Sequence, residues 1–426
     1  MNIRFYNARI LNSDFGILEG ELHVKDNRIS YIGPQKRQDD LQWETWDREI
    51  NADRNLLIPG FKNAHTHSAM TFLRSYADDL PLQEWLNKQV FPMEAKLVRE
   101  DIYQLSKLAI LEYLTSGMTA NFDMYICPEE MAKAAADCGF RTVLAAPLND
   151  FTSDIRAVEE EYLKFKEYDP LVSYVLAFHA EYTTGRKRLE EVAGLAGKYG
   201  APVFSHNSET YQEVQQCVER NGVTPTVFLE RLGIFEHGGG GYHCVYMSDE
   251  DLEIFQRKGL YAVTNPGSNT KLASGIAPVK QMLDMGIHMA IGTDGPASNN
   301  CLDMFREMFL VTGLAKLREQ DASAVGAKEV LKMAVSGGAY AMGLHECDCL
   351  AEGKLADLVM IDLHRPNMQP ENNLAENLVY SGSKENVKLT MVNGKILYED
   401  GKFFVGTDPE EIYARANEIM GRCRWE

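Results

Sequence analysis

Eight short apolar runs, each followed by a stretch with helical spacing, recur between residues 56 and 350. They read LLIPGF (56–61), GMTANFDMY (117–125), RTVLAAPL (141–148), YVLAFHAEY (174–182), PVFSHNSE (202–209), YHCVYM (242–247), LYAVTNPGSN (260–269) and HMAIGTDG (288–295). Several of the helical stretches end in glycine, a common C-terminal helix cap. This alternation predicts an α/β fold, a (β/α)₈ barrel of the TIM type, and a doubly wound open sheet is the alternative.

The two ends of the chain alternate apolar and polar residues, as short strands do. Residues 1–55 contain IRFYNARIL and GELHVKDNRISYIG, and residues 353–406 contain GKLADLVMIDL and NVKLTMVNGKILYEDGKFFVG. Asn393-Gly394 and Asp400-Gly401 stand where hairpin turns belong. Because neither end can close a core alone, we expect residues 1–55 and 353–426 to form a composite β-sandwich domain with a C-terminal helix (408–422). Residues 56–352 would form the barrel.

The charge of the chain argues against nucleic acid and anionic membranes as partners. Its 426 residues carry a formal net charge of −19 without a long Lys/Arg cluster. No run approaches the ~18 apolar residues of a membrane span, and MNIRFYNARILNSDFG lacks the apolar centre of a signal peptide. The eight cysteines include no Cys-x-x-Cys pair, which is typical of reduced thiols. We expect a cytoplasmic protein with a small-molecule substrate, and barrels of this size often form homo-oligomers.

Residues that bind metals or move protons fall at the ends of the predicted strands. In chain order they are His65 and His67, His179, His206 and Glu209, His243, and Asp294. Active sites of (β/α)₈ barrels lie at the C-terminal ends of the strands, so these side chains would converge on one mouth. Side chains two apart in an extended chain share a face, which makes His65 and His67 a chelating pair by geometry.

The number and type of these residues suit one metal ion. His65, His67, His206 and Asp294 offer three nitrogens and one carboxylate, a set that suits Zn²⁺ or Fe²⁺ with an open position for water. A two-metal site would need a bridging ligand, often a modified lysine on a middle strand, and residues 174–184 contain no lysine. We therefore predict one divalent ion, zinc in first place and iron as the alternative.

Three residues are candidates for proton transfer at such a site. A divalent ion lowers the pKa of its bound water toward ~7. Asp294 can accept the proton of that water, and neutral His243 can orient the water by a hydrogen bond. Glu209, three residues after His206, can pass a proton to the substrate atom next to the attacked carbon and then to the leaving group.

Several motifs, in this order, resemble the amidohydrolase superfamily: PGFKNAHTH, the His206–Glu209 pair, HCVYMSDEDL, NPGSNTKLASGIAPV and IGTDGPASNN. Within it the chain is similar to the cytosine deaminase/chlorohydrolase branch, and especially to the 5′-methylthioadenosine/S-adenosylhomocysteine deaminase group. The resemblance runs from about residue 1 to 405. It implies a mononuclear metal site at positions 65, 67, 206 and 294, with His243 near the metal water and Glu209 as proton shuttle. The implied reaction is hydrolytic deamination, in which water replaces an exocyclic amine and ammonia leaves.

The same resemblance implies contacts with the substrate. Trp85 and Glu94 match the segment that covers the base and holds the ribose hydroxyls in adenosine-type deaminases. A carboxylate suits ribose because it accepts from two adjacent hydroxyls. His179 matches a substrate-contacting histidine at the fourth strand, and Ser298, in IGTDGPASNN, is a further candidate for substrate binding.

Two departures from the family's pattern concern the tail of the substrate. The run FHAEY (178–182) lacks the prolines that usually flank this histidine, and LAAPLND lacks an arginine that tail-accepting relatives carry near Ala146. Arg156 is a candidate substitute for that arginine, whereas Glu181 would disfavour an anionic tail. We therefore expect a neutral or cationic amine-bearing heterocycle rather than S-adenosylhomocysteine.

Three functions are compatible with these residues. The first is deamination of an adenosine-type nucleoside, such as a 5′-methylthioadenosine-like compound. The second is hydrolysis of another C–N or C–Cl bond by a guanine or other base deaminase, a chlorohydrolase or an amide hydrolase. The third is a non-catalytic metal-binding relic, which would have no need of Glu209. Residues 85–94 and 267–275 are predicted to be loops beside the mouth, which either close and exclude water or are static.

Overall fold

The computed structural model describes residues 1–37, 39, 44–151 and 154–425. The strands in these residues are β1 (Asn2–Leu11), β2 (Ile17–Lys25), β3 (Arg28–Gly33), β4 (Arg48–Asn51), β5 (Leu56–Pro59), β6 (Phe61–Thr66), β7 (Met118–Met124), β8 (Arg141–Ala145), β9 (Val172–Ala180), β10 (Val203–Asn207), β11 (Gly239–His243), β12 (Tyr261–Thr264), β13 (His288–Ile291), β14 (Leu358–Ile361), β15 (Val387–Val392), β16 (Lys395–Glu399) and β17 (Lys402–Phe403). They form two sheets.

Most of the helices lie between the strands of the middle of the chain. The helices are α1 (Leu82–Trp85), α2 (Phe91–Glu94), α3 (Arg99–Thr115), α4 (Pro128–Cys138), α5 (Ile155–Lys164), α6 (Arg186–Tyr199), α7 (Tyr211–Asn221), α8 (Pro225–Arg231), α9 (Asp249–Lys258), α10 (Pro266–Lys271), α11 (Val279–Asp284), α12 (Met304–Glu319), α13 (Ala327–Lys332), α14 (Gly338–Ala341), α15 (Leu374–Tyr380) and α16 (Pro409–Trp425). As the sequence predicts, α4, α6, α7 and α9 each end at a glycine.

Strands β6 to β13 form a parallel barrel in which each strand pairs with its neighbour along the chain. Its two edges are joined beyond the end of β13, where the Asp294 amide donates to the His65 carbonyl at 3.0 Å. Asn63 and Thr293 add two hydrogen bonds across the same seam, at 2.7 and 2.9 Å. The predicted (β/α)₈ barrel is therefore confirmed, and the open doubly wound sheet is excluded.

The second sheet is built from both ends of the chain, as predicted. Its order is β17-β16-β15-β14-β5-β1-β2-β3, with β4 beside β1. Side chains from both ends, among them Ile3, Phe5, Leu358 and Met391, share one hydrophobic cluster. The boundaries at residues 55 and 353 stay a prediction. Helix α16, which the sequence assigns to this terminal unit, packs against α3 of the barrel.

Two of the predicted barrel strands are displaced from their runs. The run LLIPGF divides at Gly60: β5 pairs with β14 in the terminal sheet, and the barrel strand begins at Phe61. All four residues of β5 are buried, so its composition does not distinguish the two sheets. The sixth strand starts at Gly239 rather than Tyr242. A Cβ at Gly239 would lie 1.9 Å from the Val203 carbonyl oxygen, so glycine permits this close pairing.

A buried ion pair connects the barrel to the terminal sheet. Arg141, at the start of β8, donates from Nε and Nη2 to the two carboxylate oxygens of Asp357 at 2.8 and 3.0 Å. Burial alone would raise the pKa of Asp357, but the Arg141 guanidinium outweighs burial and lowers that pKa. The carboxylate is therefore charged at neutral pH. Without the partner arginine, this buried charge would destabilise the fold.

Replacing Arg141 by methionine is expected to lower the free energy of unfolding by ~3–5 kcal/mol at neutral pH, because Asp357 would stay buried without its cation. Since the folded-state pKa of Asp357 is depressed, the pair stabilises the wild type above the ordinary carboxyl pKa and loses this effect as pH falls below ~4. Urea unfolding at pH 7 and pH 4 measures both effects. The double variant Arg141→Met/Asp357→Leu should regain most of the lost stability, and an unchanged Arg141→Met midpoint would contradict the assignment.

Candidate metal centre and active site

Four histidines and one aspartate converge where the barrel strands end. His65 lies in β6, His206 in β10 and His243 at the end of β11, while Asp294 follows β13. Their ligand atoms all lie within 4.8 Å of one another. His67 belongs to the same cluster, since its Nε2 lies 3.2 Å from Asp294 Oδ1. The structure thus brings together the four predicted ligands, and it adds His243 as a further nitrogen within reach.

Backbone carbonyls fix which ring nitrogen of two of these histidines faces the cluster. His206 Nδ1 donates to the His179 carbonyl at 2.8 Å, and His67 Nδ1 donates to the Met124 carbonyl. A carbonyl only accepts, so Nδ1 carries the proton and Nε2 keeps its lone pair for a cation. His243 Nδ1 pairs with Asn269 Oδ1 at 2.7 Å, which leaves its Nε2 available in the same way.

His65 gives the clearest indication of a metal. Its side chain is completely buried and its ring stacks on Tyr242 with a centroid distance of 3.8 Å. Among the residues that the structure describes, neither ring nitrogen of His65 has a hydrogen-bond partner. An unsatisfied buried nitrogen costs ~1–3 kcal/mol, a cost that ligation of a cation would remove. The donor set of imidazoles and one carboxylate fits zinc or another first-row divalent ion.

The electrostatics favour the metal-binding forms of three residues of the cluster. Burial lowers the pKa of His65 to about 3 and that of His206 well below its ordinary value, so both rings are neutral. Burial would raise the pKa of Asp294, but the neighbouring imidazoles of His65 and His67 outweigh burial and lower it well below its usual range. Metal ligands must be deprotonated, and these three residues already are. His67 differs, because the neighbouring Asp294 outweighs burial and raises the pKa of that imidazole. The group is therefore suited to a metal ion.

Three donors outside the histidine cluster hold the Asp294 carboxylate in place. Ser268 Oγ and Ser298 Oγ donate to its Oδ2 at 2.6 and 2.8 Å, and the Gly295 amide donates to its Oδ1 at 2.7 Å. Ser298, which the sequence predicts to bind substrate, therefore donates its hydroxyl to Asp294. Its side chain also lines the cavity described below. Ser268 belongs to the segment 267–275 that the sequence predicts as a loop, and its contact with Asp294 was not predicted.

Glu209 lies beside this cluster and is buried. Its Oε2 lies 3.9 Å from His243 Nε2, and its Oε1 accepts from Ser274 Oγ at 3.3 Å. Burial raises the pKa of Glu209, which keeps the protonated form accessible closer to neutral pH. A carboxyl group in this state can both donate and accept a proton.

Glu213 holds the turn that carries Glu209, and it is not among the site residues predicted from the sequence. Its carboxylate accepts hydrogen bonds from the backbone N–H groups of Ser208, Glu209 and Thr210 at 2.9, 2.8 and 3.4 Å. Ser208 has a left-handed backbone with φ of 53°, an uncommon conformation that these bonds stabilise. The sequence signal was the capping box Thr210-x-x-Glu213 at the start of α7. Glu213 thus fixes the turn that carries Glu209.

Replacing Glu213 by glutamine is expected to lower kcat by about 10–100-fold with little change in metal content, because the turn that aims Glu209 loses an acceptor. Steady-state kinetics and elemental analysis measure the two quantities. Glu219→Gln, an exposed change on the same helix, is the matched control and should behave as wild type. A Glu213→Gln enzyme with wild-type kcat would show that the hydrogen bonds of Glu213 to the turn do not position Glu209.

One cavity of about 690 Å³ opens over the cluster. His67, His206, Glu209, His243 and Asp294 lie on its wall. The residues predicted to contact the substrate line it as well, namely Trp85, Glu94, His179 and Ser298. All the sequence-predicted site residues except His65, which is completely buried, therefore face a single space.

Three residues predicted to contact the substrate are held by contacts with the rest of the protein. Tyr125 donates its hydroxyl to Glu94 Oε1 at 2.6 Å, and burial raises the pKa of Glu94. His179 Nδ1 pairs with Thr183 Oγ1 at 2.9 Å, and burial lowers the pKa of His179 to about 4. Trp85 is also buried against the main hydrophobic core. Each residue is thus held in place by the protein itself.

The two segments predicted to be loops at the mouth are largely helical. Residues 82–94 form α1 and α2 with a π turn, Leu86–Val90, between them, and α10 occupies the start of 267–275. Pro92 lacks the amide needed for a regular helical ladder, and the π turn precedes it. This interruption breaks the helical period, so the mixed polar and apolar residues of 85–94 predict a loop.

Two sequence expectations about the tail of the substrate are wrong. Glu181 is buried but pairs with Arg220 and Asn221 at 2.5 and 2.8 Å, and it does not line the cavity. It therefore cannot repel an anionic tail there. Arg156 is exposed on α5 and lines a separate surface depression, so it is no substitute for an arginine at the substrate.

Within the described ranges, no helix is long and apolar enough to cross a membrane.

Comparison with known proteins gives consistent matches over nearly the whole chain. A 5-methylthioadenosine/S-adenosylhomocysteine deaminase of Caldanaerobacter subterraneus is 39% identical over 425 residues, which cover 97% of this chain and 96% of that one. One of Pyrococcus furiosus is 38% identical over 401 residues, covering 92% and 94%.

Solved structures share the fold. An adenosine deaminase from Xanthomonas campestris with bound zinc superposes with a TM-score of 0.93 at 31% identity, over 100% of this chain and 99% of that one. An atrazine chlorohydrolase from Arthrobacter aurescens in complex with zinc gives 0.89 at 22% identity, over 98% and 100%, and this likeness concerns the fold alone. The sequence model of the Amidohydrolase family matches residues 56–397. The chain therefore belongs to the amidohydrolase family.

Proposed function

We propose that this protein is a metal-dependent aminohydrolase that removes the exocyclic amine of an adenosine-type nucleoside and releases ammonia. The observation that carries the proposal is the cavity itself, which combines a buried histidine–aspartate cluster, the acid Glu209 and the predicted nucleoside contacts Trp85 and Glu94. Deaminases that are 38% and 39% identical to this chain, named for 5-methylthioadenosine and S-adenosylhomocysteine, support this substrate class.

We assign one divalent ion, zinc in first place, to His65, His67, His206 and Asp294. The unpartnered nitrogens of His65 and the fixed tautomers of His67 and His206 support this assignment. Bound there, such an ion supplies a Lewis acid that makes water nucleophilic near neutral pH. His243, whose Nε2 lies 3.9 Å from Glu209 and 4.0 Å from Asp294, is assigned to orienting that water.

The proton transfers follow from the positions of two carboxyl groups. Asp294 takes a proton from the attacking water as its oxygen bonds to the ring carbon. Glu209, protonated, donates to the ring nitrogen next to that carbon. The remaining O–H proton then passes to Glu209, which donates it to the amine. The C–N bond breaks, ammonia leaves, and the proton held by Asp294 returns to Glu209. The ring carbon keeps the water oxygen, so the product is the corresponding oxo-heterocycle.

Glu94 and Trp85 are assigned to the nucleoside itself. Tyr125 occupies Glu94 Oε1, so Oε2 is the oxygen assigned to the sugar hydroxyls. Trp85 offers an apolar face to the base, and His179 is a further contact for the substrate. Contact of Ser298 with substrate, assembly into a homo-oligomer, a cytoplasmic location and the absence of nucleic-acid or membrane partners stay predictions.

An ammonia-release screen with zinc-replete protein tests the proposal. The panel contains adenosine, 5′-methylthioadenosine, adenine, guanine and a chloro-triazine. Turnover of the 5′-substituted nucleoside and one metal ion per chain by elemental analysis are expected. Chloride release from the triazine without deamination of any nucleoside would support the chlorohydrolase alternative. A chain that purifies without transition metal and turns over nothing would be the non-catalytic relic.

A further inference from the structure

We infer that the cavity accepts 5′-substituents without charge and rejects those that carry a carboxylate. The inference rests on the proposed function and defines the substrate within it. It comes from the charges of the cavity wall, and it applies to the part of the substrate beyond the ribose. S-adenosylhomocysteine, which is in the name of similar deaminases, carries such a carboxylate.

Among the described residues, the wall of the cavity carries carboxyl groups and imidazoles but no ammonium or guanidinium group. Glu94, Glu209 and Asp294 line it, whereas none of the lining residues in the described part of the chain is lysine or arginine. Away from the metal ligands the wall is mostly apolar, and six of its residues are Leu82, Leu86, Phe91, Ile126, Phe151 and Leu272. A carboxylate against this apolar part of the wall would face hydrocarbon, without an ammonium or guanidinium group to pair with.

Lysines that neighbour the lining residues in sequence are directed elsewhere. Lys271, beside Leu272, donates to Asp78 Oδ1 at 2.5 Å and to the Ala297 carbonyl at 3.0 Å. Lys88, in the π turn, pairs with Glu84 at 2.8 Å on the exposed face. Each of these cations is already engaged, so neither is free to turn into the cavity without breaking its pair.

Three neutral donor groups on the wall are also occupied by the protein. Tyr125 donates to Glu94 at 2.6 Å, Asn149 Nδ2 donates to the Pro147 carbonyl at 3.1 Å, and Thr183 Oγ1 donates to the Ala180 carbonyl at 3.1 Å. A carboxylate that leaves water needs charge-assisted donors to replace its hydration. An alkylthio group needs none, and it gains from contact with the apolar wall.

The charge of the tail, rather than its length, is therefore what the cavity discriminates. The matched compounds are 5′-methylthioadenosine, 5′-butylthioadenosine, 5′-(3-carboxypropylthio)adenosine and S-adenosylhomocysteine. The last three have tails of similar length and differ in charge. All share the base, the ribose and the amine that is released.

Steady-state kcat/KM of the zinc-loaded enzyme for the four compounds tests the inference. We expect the methylthio and butylthio compounds to agree within about tenfold, and both carboxylates to be lower than the butylthio compound by at least about 100-fold, because an unpaired buried charge costs this much or more. Either carboxylate within tenfold of the butylthio compound would overturn the inference, as would equal loss for all three long tails. No deamination of any of the four would instead overturn the proposed function.

Discussion

Replacing Asp294 by asparagine is expected to abolish most of the activity and to lower the metal content of the purified protein. Asp294 Oδ1 lies 3.6 Å from His65 Nε2 and 3.2 Å from His67 Nε2, at the centre of the cluster. Asparagine keeps the size but replaces an anionic acceptor by a neutral amide that can neither take a proton nor balance a divalent charge. The loss of proton transfer alone predicts a fall in kcat of about 10²–10⁴-fold.

Elemental analysis and kcat, measured on the same preparation, separate the two consequences of the change. Asp284→Asn, an exposed aspartate on α11, is the control and should retain both metal and activity. If Asp294→Asn binds metal normally and loses only turnover, Asp294 acts as the base without being needed as a ligand. If it turns over normally, both assignments are wrong.

The cluster could be predicted from the sequence because its members follow from the fold. In a (β/α)₈ barrel the strand ends meet at one face, so a histidine at the end of each of several strand runs predicts convergence without any side-chain coordinates. His65, His206 and Asp294 are far apart in the chain and come within 4.8 Å in the structure. The alternation that identifies the strands therefore also identifies the site.

The sequence does not predict in the same way where a side chain points when the turn after its strand decides that direction. Glu181 follows the fourth strand as closely as Glu209 follows the fifth, yet it faces Arg220 and not the cavity. The turn after each strand decides where such a side chain points, and composition does not encode that direction. Gly239, in the middle of a glycine run, reads as a loop, although close strand pairing requires a residue without a side chain.

Replacing Glu209 by glutamine is expected to lower kcat by about 10²–10⁴-fold while the metal content stays that of the wild type. Glutamine keeps the acceptor for Ser274, which lies 3.3 Å from Glu209 Oε1, but it has no proton to donate at the substrate. Glu209 is not among the proposed ligands, so this variant differs from Asp294→Asn in retaining its metal. Glu209→Asp keeps the acid one methylene further away, and its activity should lie between wild type and Glu209→Gln.

The leaving group gives a sharper test of what Glu209 does. An amine must be protonated before it leaves, whereas chloride leaves without a proton. If Glu209 supplies that proton, Glu209→Gln should lose less activity toward the 6-chloropurine analogue of the nucleoside than toward the amine substrate. The loss of activity that Glu209→Gln still shows toward the chloro compound measures proton donation to the ring nitrogen, which both compounds need. Equal losses for the two compounds would mean that Glu209 does not protonate the departing amine, and the proton would then have to come from Asp294.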